Sequence, residues 1–173
     1  MGGPTSHPVT PQKLLFVCTG NTCRSPMAEY LCRKWLGEGS GWEVASAGIA
    51  AHPGMAASRL AIDLLARQGI DMSGHRSRCL TREEIDPARL IVVMTEMHRA
   101  AIAQRFPSVL DRVQVLTAFG PHPGELRDIE DPMGGSWGDY QRTYDEINAL
   151  LPDLVLYLHQ HFDGGRREKR GIS

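Results

Sequence analysis

The sequence predicts an α/β domain in which a four-stranded parallel sheet carries helices on both faces. Two observations lead there. Short apolar runs alternate along the chain with segments of helical periodicity. The first apolar run also leads straight into a polar, glycine-containing turn that opens a helix. Strands that alternate with helices need crossover connections, and these place helices on both faces of a parallel sheet. Ligands of such sheets bind beyond the carboxyl ends of the strands.

The elements follow in order. Leu14-Leu15-Phe16-Val17 is a continuous apolar run and reads as a buried strand. Ser25-Pro26 opens a helix, with a hydroxyl at the cap and proline at the first helical position. Met27, Ala28, Leu31, Cys32 and Trp35 continue it at helical spacing, and Gly37 stops it. Residues 42–46 form a second strand. Ala57, Leu60, Ala61, Leu64 and Leu65 give a second helix, closed by Gly69. A third strand at 90–94, a helix over 96–106 and a fourth strand at 113–116 follow. Tyr140, Tyr144, Ile147, Leu151, Leu154 and Leu158 form a long helical stripe that Pro152 should kink or divide.

At 173 residues the chain suits one compact domain with a real core. That domain is expected over residues 13–163, between a Pro- and Gly-rich arm at 1–12 and a charged tail at 164–173. With 19 basic and 20 acidic residues, the charge gives no reason to expect nucleic acid as a partner. No apolar run approaches a membrane span, and the N-terminus has no signal-peptide pattern. The cysteines at 18, 23, 32 and 79 therefore read as thiols of a cytoplasmic protein rather than as disulfide staples.

The decisive segment is Val17-Cys18-Thr19-Gly20-Asn21-Thr22-Cys23-Arg24-Ser25-Pro26, between the first strand and the first helix. A tight loop entering a helix N-terminus aims several main-chain N–H groups at one point and makes an anion nest. Thr19, Gly20, Asn21, Thr22, Cys23, Arg24 and Ser25 are the expected phosphate contacts. Gly20 and Asn21 tolerate the positive φ that such a turn requires. Cys18, at the strand end, should sit at the focus of that field, which favours its thiolate as nucleophile. Arg24 can grip two phosphate oxygens at once. Ser25 can donate to the sulfur as it departs. Blander readings exist: a cysteine at a strand end is often a small core residue. Cys18 and Cys23 also read as a redox pair or as two metal ligands, but the histidines of a zinc site are missing nearby. Cys-x5-Arg alone is a weak pattern; Cys-x5-Arg-Ser-Pro between strand and helix is a strong one.

This loop resembles that of the low-molecular-weight protein-tyrosine-phosphatase family, and the similarity covers nearly the whole domain. The resemblance implies the four-stranded fold read above. It also implies that Asp131, in Asp131-Pro132, is the general acid. Asn21, Ser46 and His75 match positions that brace the loop, although His75 also reads as an ordinary surface histidine. Asp128 either tunes the acid or is a solvated loop residue. Cys32 reads as core, and Cys79 has no visible task. No metal or cofactor is implied. The expected partner is a phosphorylated protein substrate, met by a monomer.

Tyrosine-directed members place aromatic residues around the substrate ring, including a tyrosine after Asp-Pro. Here Met133 and Gly134 follow, and the segment after Ser46 has neither Trp nor Tyr. Thr22 stands where those members carry an apolar residue such as isoleucine. These features, with Gly134-Gly135-Ser136, resemble the bacterial protein-arginine-phosphatase branch, although that branch often has an aromatic residue at the position of Met133. Phosphoarginine is thus the expected substrate, set by Thr22, with phosphotyrosine as the alternative. A thioredoxin-coupled arsenate reductase is a further alternative, but its relay needs two more cysteines close together and only Cys79 stands in that region. A non-catalytic phosphoprotein-binding module would need neither Cys18 nor Asp131.

Overall fold

The computed structural model describes residues 10–125 and 127–163. Residues 1–9 and 164–173, expected as arm and tail, lie outside the described residues. Four strands form one parallel sheet: β1 (Gln12–Cys18), β2 (Trp42–Gly48), β3 (Ala88–Val93) and β4 (Val113–Val115). Their order is β2-β1-β3-β4. The helices are α1 (Arg24–Leu36), α2 (Arg59–Arg67), α3 (Arg82–Ile85), α4 (Glu96–Arg105) and α5 (Trp137–Phe162). Because β2 and β3 flank β1 on opposite sides, the chain reverses its winding direction at the carboxyl end of β1.

Side-chain alternation along β1 divides the core in two. Leu14 and Phe16 pack into a cluster with Met27, Leu31, Leu64 and Leu151, beneath α1, α2 and α5. Leu15 and Val17 face the other way, into a cluster with Leu80, Ile85, Ile102 and Val109. β1 is thus buried on both faces, the physical reason its sequence is apolar without alternation.

Several details differ from the sequence reading. α1 opens at Arg24 with Cys23 at the cap position, so Ser25 lies in its first turn rather than capping it, its hydroxyl turned to the loop instead. β2 extends to Gly48, and β3 ends at Val93. β1 starts at Gln12, inside the segment assigned to the arm. Leu116 leaves the fourth strand and opens a 3₁₀ turn. Pro152 does not divide the last helix: α5 runs through it without interruption. An interior proline costs a helix roughly 3 kcal/mol. The side chains of Ile147, Leu151, Leu154 and Leu158 are fully buried on both sides of it, while Pro152 itself is exposed. At about 1.5–3 kcal/mol for each buried apolar side chain, packing outweighs the lost hydrogen bond.

Candidate active site

The loop from β1 to α1 lies beyond the carboxyl end of the sheet, as expected for the phosphate site. The main-chain N–H groups of Gly20 to Cys23 have no partner among the described residues, so they remain free to hold an anion. Asn21 takes the left-handed conformation with φ of 57°. Of the two residues that tolerate this conformation, Gly20 does not take it: among the described residues, Asn21 is the single non-glycine with positive φ and Gly20 is absent from the glycines that have it. One left-handed residue suffices to reverse the chain, and the Asn21 side chain makes that conformation worthwhile.

The Asn21 amide is fully buried, and every bond it forms braces the loop. Its Oδ1 accepts from the Arg78 main-chain N–H at 3.0 Å, which fixes the amide orientation because that N–H can only donate. Its Nδ2 therefore donates to Ser25 Oγ and to Ser46 Oγ, each at 2.8 Å. With Ser25 Oγ already accepting from Asn21, its own hydrogen is available to Cys18 Sγ, 2.9 Å away. His75 is buried, and its Nε2 donates to the Asn21 carbonyl at 2.8 Å. The surface reading of His75 is thus replaced: it lies against the loop, where burial pushes its pKa down. Gly48, at the end of β2, lets the loop come close. A Cβ there would stand 2.5 Å from the Thr19 carbonyl oxygen and 3.0 Å from the Asn21 nitrogen.

Arg24 and Asp131 meet, although 107 residues separate them in the sequence. Arg24 is almost fully buried, its Nη1 donates to the Ile129 carbonyl at 3.0 Å, and its Nη2 lies 3.4 Å from Asp131 Oδ2. The other Asp131 oxygen accepts from the Met133 main-chain N–H at 3.1 Å. This turn, continued through Gly134 at φ of 77°, aims the carboxylate back at the phosphate loop. A cavity of about 300 Å³ also borders the acid loop, lined in part by Asp131, Met133, Asp139 and Glu146, but Cys18 and Arg24 do not line it.

Cys23 is buried, and its Sγ lies 3.4 Å from the Tyr140 hydroxyl, which accepts from Ser58 Oγ at 2.8 Å. Burial pushes the Cys23 thiol up, and burial likewise pushes Tyr140 up to about 12. Cys32 is solvent-inaccessible, its thiol raised to about 12 by burial, as its place on the apolar helix face implied. Cys79 pairs with Gly48 in an isolated bridge that continues the sheet edge. Asp128 is exposed, yet it is not merely solvated: its Oδ1 accepts the Glu96 main-chain N–H at the start of α4.

Several contributors escaped the sequence reading. Glu29 is buried beneath the loop, paired with Arg33 at 3.0 Å and accepting from Ser46 Oγ at 3.4 Å; burial raises its pKa. Tyr140 was legible only as one member of an apolar stripe. His98 belongs to Thr95-Glu96-Met97-His98, where Thr95 Oγ1 accepts the His98 main-chain N–H at 3.1 Å. A hydroxyl before a helix predicts such a cap, but nothing local predicts that the imidazole of His98 reaches Thr19.

A thiol backed by a hydroxyl, a nest of free N–H groups, a buried guanidinium and a carboxylate facing it can hold a phosphoryl group and exchange it through sulfur. On this fold those parts define a cysteine-dependent phosphatase. The chain belongs to the family described as low molecular weight phosphotyrosine protein phosphatase, whose family model matches residues 13–163. Among its relatives, a protein-arginine-phosphatase of Geobacillus stearothermophilus is 42% identical over 146 residues, covering 84% of this chain and 95% of the relative. The solved structure of YwlE arginine phosphatase from Geobacillus stearothermophilus superposes with a TM-score of 0.80 at 37% identity, over 94% of this chain and 99% of that one. An arsenate reductase of Brevibacillus brevis is 35% identical over 138 residues, covering 80% of this chain and 90% of the relative.

Proposed function

We propose that this enzyme hydrolyses phosphoarginine in proteins through a cysteinyl-phosphate intermediate. The observation that carries the chemistry is the convergence of Cys18, Ser25, Arg24 and Asp131 at the carboxyl end of β1. Cys18 thiolate attacks phosphorus in line, and an S–P bond forms as the P–N bond breaks. The departing electron pair goes to the guanidine nitrogen, which takes a proton from Asp131. The loop N–H groups and Arg24 hold the equatorial oxygens throughout. Water then attacks phosphorus and gives its proton to Asp131. The S–P electron pair returns to sulfur, where the Ser25 hydroxyl receives it with a hydrogen bond.

The likeness to arginine phosphatases supports phosphoarginine, as do the residues around the loop. Thr22, in the loop itself, is half-buried and polar, and Met133 and Gly134 after the acid supply no ring to stack on a phenyl group. Each missing aromatic contact withholds about 0.5–1.5 kcal/mol from phosphotyrosine. The family's description keeps phosphotyrosine as the second reading. Arsenate reduction is disfavoured because Cys32 is sealed in the core and no second cysteine stands close to Cys79 in the sequence to complete a relay. The enzyme is expected to work as a monomer in the cytoplasm; among the described residues no helix is long and apolar enough to cross a membrane.

Thr22→Ile tests the substrate. Both residues are β-branched, so the loop backbone should accept the exchange. Isoleucine removes the hydroxyl and adds apolar bulk, which favours a ring over a guanidinium that needs polar partners. The ratio of kcat/KM on phosphoarginine and phosphotyrosine peptides should move towards phosphotyrosine by about 1–3 kcal/mol. A wild-type enzyme that already prefers phosphotyrosine removes the arginine reading. An unmoved ratio removes Thr22 as the determinant.

Cys23 is expected to form a disulfide with Cys18 under mild peroxide. The two sit in one loop, and peroxide should oxidise the proposed nucleophile, Cys18, first, to a sulfenic acid. The Cys23 thiol then displaces water from it, so the bond forms with no further oxidant. Mass spectrometry decides: a linked peptide supports the pairing, whereas sulfonic acid on Cys18 with no linked peptide makes Cys23 a packing residue.

A further inference from the structure

The chemistry above leaves one buried imidazole without a task. His98, in the first turn of α4, is fully shielded from solvent. Its Nε2 lies 2.9 Å from Oγ1 of Thr19, the residue next to the nucleophile. Its Nδ1 is buried and has no hydrogen-bond partner. Burial, seconded by the Arg24 guanidinium, pushes its pKa down to about 4, so the ring is neutral and carries one proton. That proton belongs on Nε2, the nitrogen that faces an acceptor. The imidazole then donates to Thr19 Oγ1 and pins the side chain beside Cys18.

The same stretch of chain also holds the acid loop. The Glu96 main-chain N–H donates to Asp128 Oδ1 at 2.9 Å. The Ile129 N–H donates to the Met94 carbonyl at 2.9 Å. Residues 94–98 are thus bonded on one side to the neighbour of the nucleophile, and on the other to residues just ahead of Asp131. They follow the carboxyl end of β3, the strand that pairs with β1 at the point where the winding reverses.

We propose that His98 is a positioning residue that sets the phosphate loop in register with the acid loop. Through Thr19 it fixes where the phosphoryl group sits relative to Asp131, and it touches no reacting atom itself. This rests on the phosphatase reading above, with Asp131 as acid. Its signature is specific. Slackening the bond should leave the attack by Cys18 nearly intact and impair protonation of the leaving group. A residue that merely fills the core would lower stability and slow every substrate alike.

The experiment compares kcat and KM on p-nitrophenyl phosphate, whose leaving group departs without a proton, and on phenyl phosphate, whose leaving group needs one. The variants are Thr19→Val, His98→Phe and the two combined. Each single change should lower the ratio of kcat on phenyl phosphate to kcat on p-nitrophenyl phosphate by about 10- to 100-fold, whatever loss the two substrates share. The double variant should fall no further than the worse single one, because both remove the same bond. Equal losses on the two substrates, or losses that multiply in the double variant, overturn the proposal. Should His98→Phe not fold, Thr19→Val decides alone, since Thr19 is partly exposed and keeps its β-branched shape. A wild-type enzyme inactive on both esters would instead overturn the phosphatase reading beneath it.

Discussion

Replacement of Cys18 by serine is expected to abolish turnover while phosphate or vanadate binding stays measurable. The two halves of this result have separate causes. Binding comes from the free N–H groups of the loop and from Arg24, and none of these depends on the side chain at position 18. The bracing bonds of Asn21 to Ser25, Ser46 and Arg78 also survive the exchange. Turnover is different, because a serine hydroxyl must lose its proton to attack, whereas a cysteine in an anion nest works as its thiolate. The group nearest the sulfur is the Ser25 hydroxyl, at 2.9 Å, and a hydroxyl is no base. Asp131 is committed to the leaving group. Isothermal titration with phosphate, beside an assay on p-nitrophenyl phosphate, separates the two properties. Retained activity in Cys18→Ser removes Cys18 from the nucleophile's role.

Asp131→Asn is expected to lower kcat by about 10²–10⁴-fold on substrates with poor leaving groups, the usual range for a positioned acid. The change in KM should be much smaller. Asparagine keeps an oxygen for the Met133 N–H, so the turn at 131–134 should persist. It gives up the ion pair with Arg24, which leaves the guanidinium at least as available to phosphate as before. The loss should shrink for p-nitrophenyl phosphate and grow for phenyl phosphate and phosphoarginine, since only the latter need a proton to leave. A loss of equal size across that series would mean that Asp131 acts on binding or loop geometry rather than as the acid. The contrast with Thr19→Val is informative: the same dependence on the leaving group is expected there, at smaller size.

Much of this site was legible in the sequence because its chemistry is local. Cys18 to Pro26 are contiguous, and a strand followed by a glycine-containing turn and a Ser-Pro helix start admits few geometries. The alternation of apolar runs with helical periodicity gave the sheet and its two covered faces for the same reason: each period is a property of a short stretch. Asp131 was legible only through the resemblance, since Asp-Pro by itself is an ordinary turn. Which of Gly20 and Asn21 would turn left-handed was beyond local reasoning. The loop needed one left-handed residue, and Asn21 took that conformation because its amide finds Ser25, Ser46 and Arg78 around it. Pro152 marks a similar limit, where buried side chains on either side of the proline outweigh a local break.

By itself the sequence determined the kind of sheet, the place of the loop between the first strand and the first helix, and the cysteine proposed as nucleophile. Only the tertiary structure decided what braces that loop and what faces it. His75 and Arg78 reach Asn21, His98 reaches Thr19, Tyr140 reaches Cys23, and Asp131 reaches Arg24, across separations of 54 to 117 residues. No periodicity or spacing encodes such contacts. They exist because parallel strands bring their carboxyl ends, and every loop that leaves them, to one edge of the sheet.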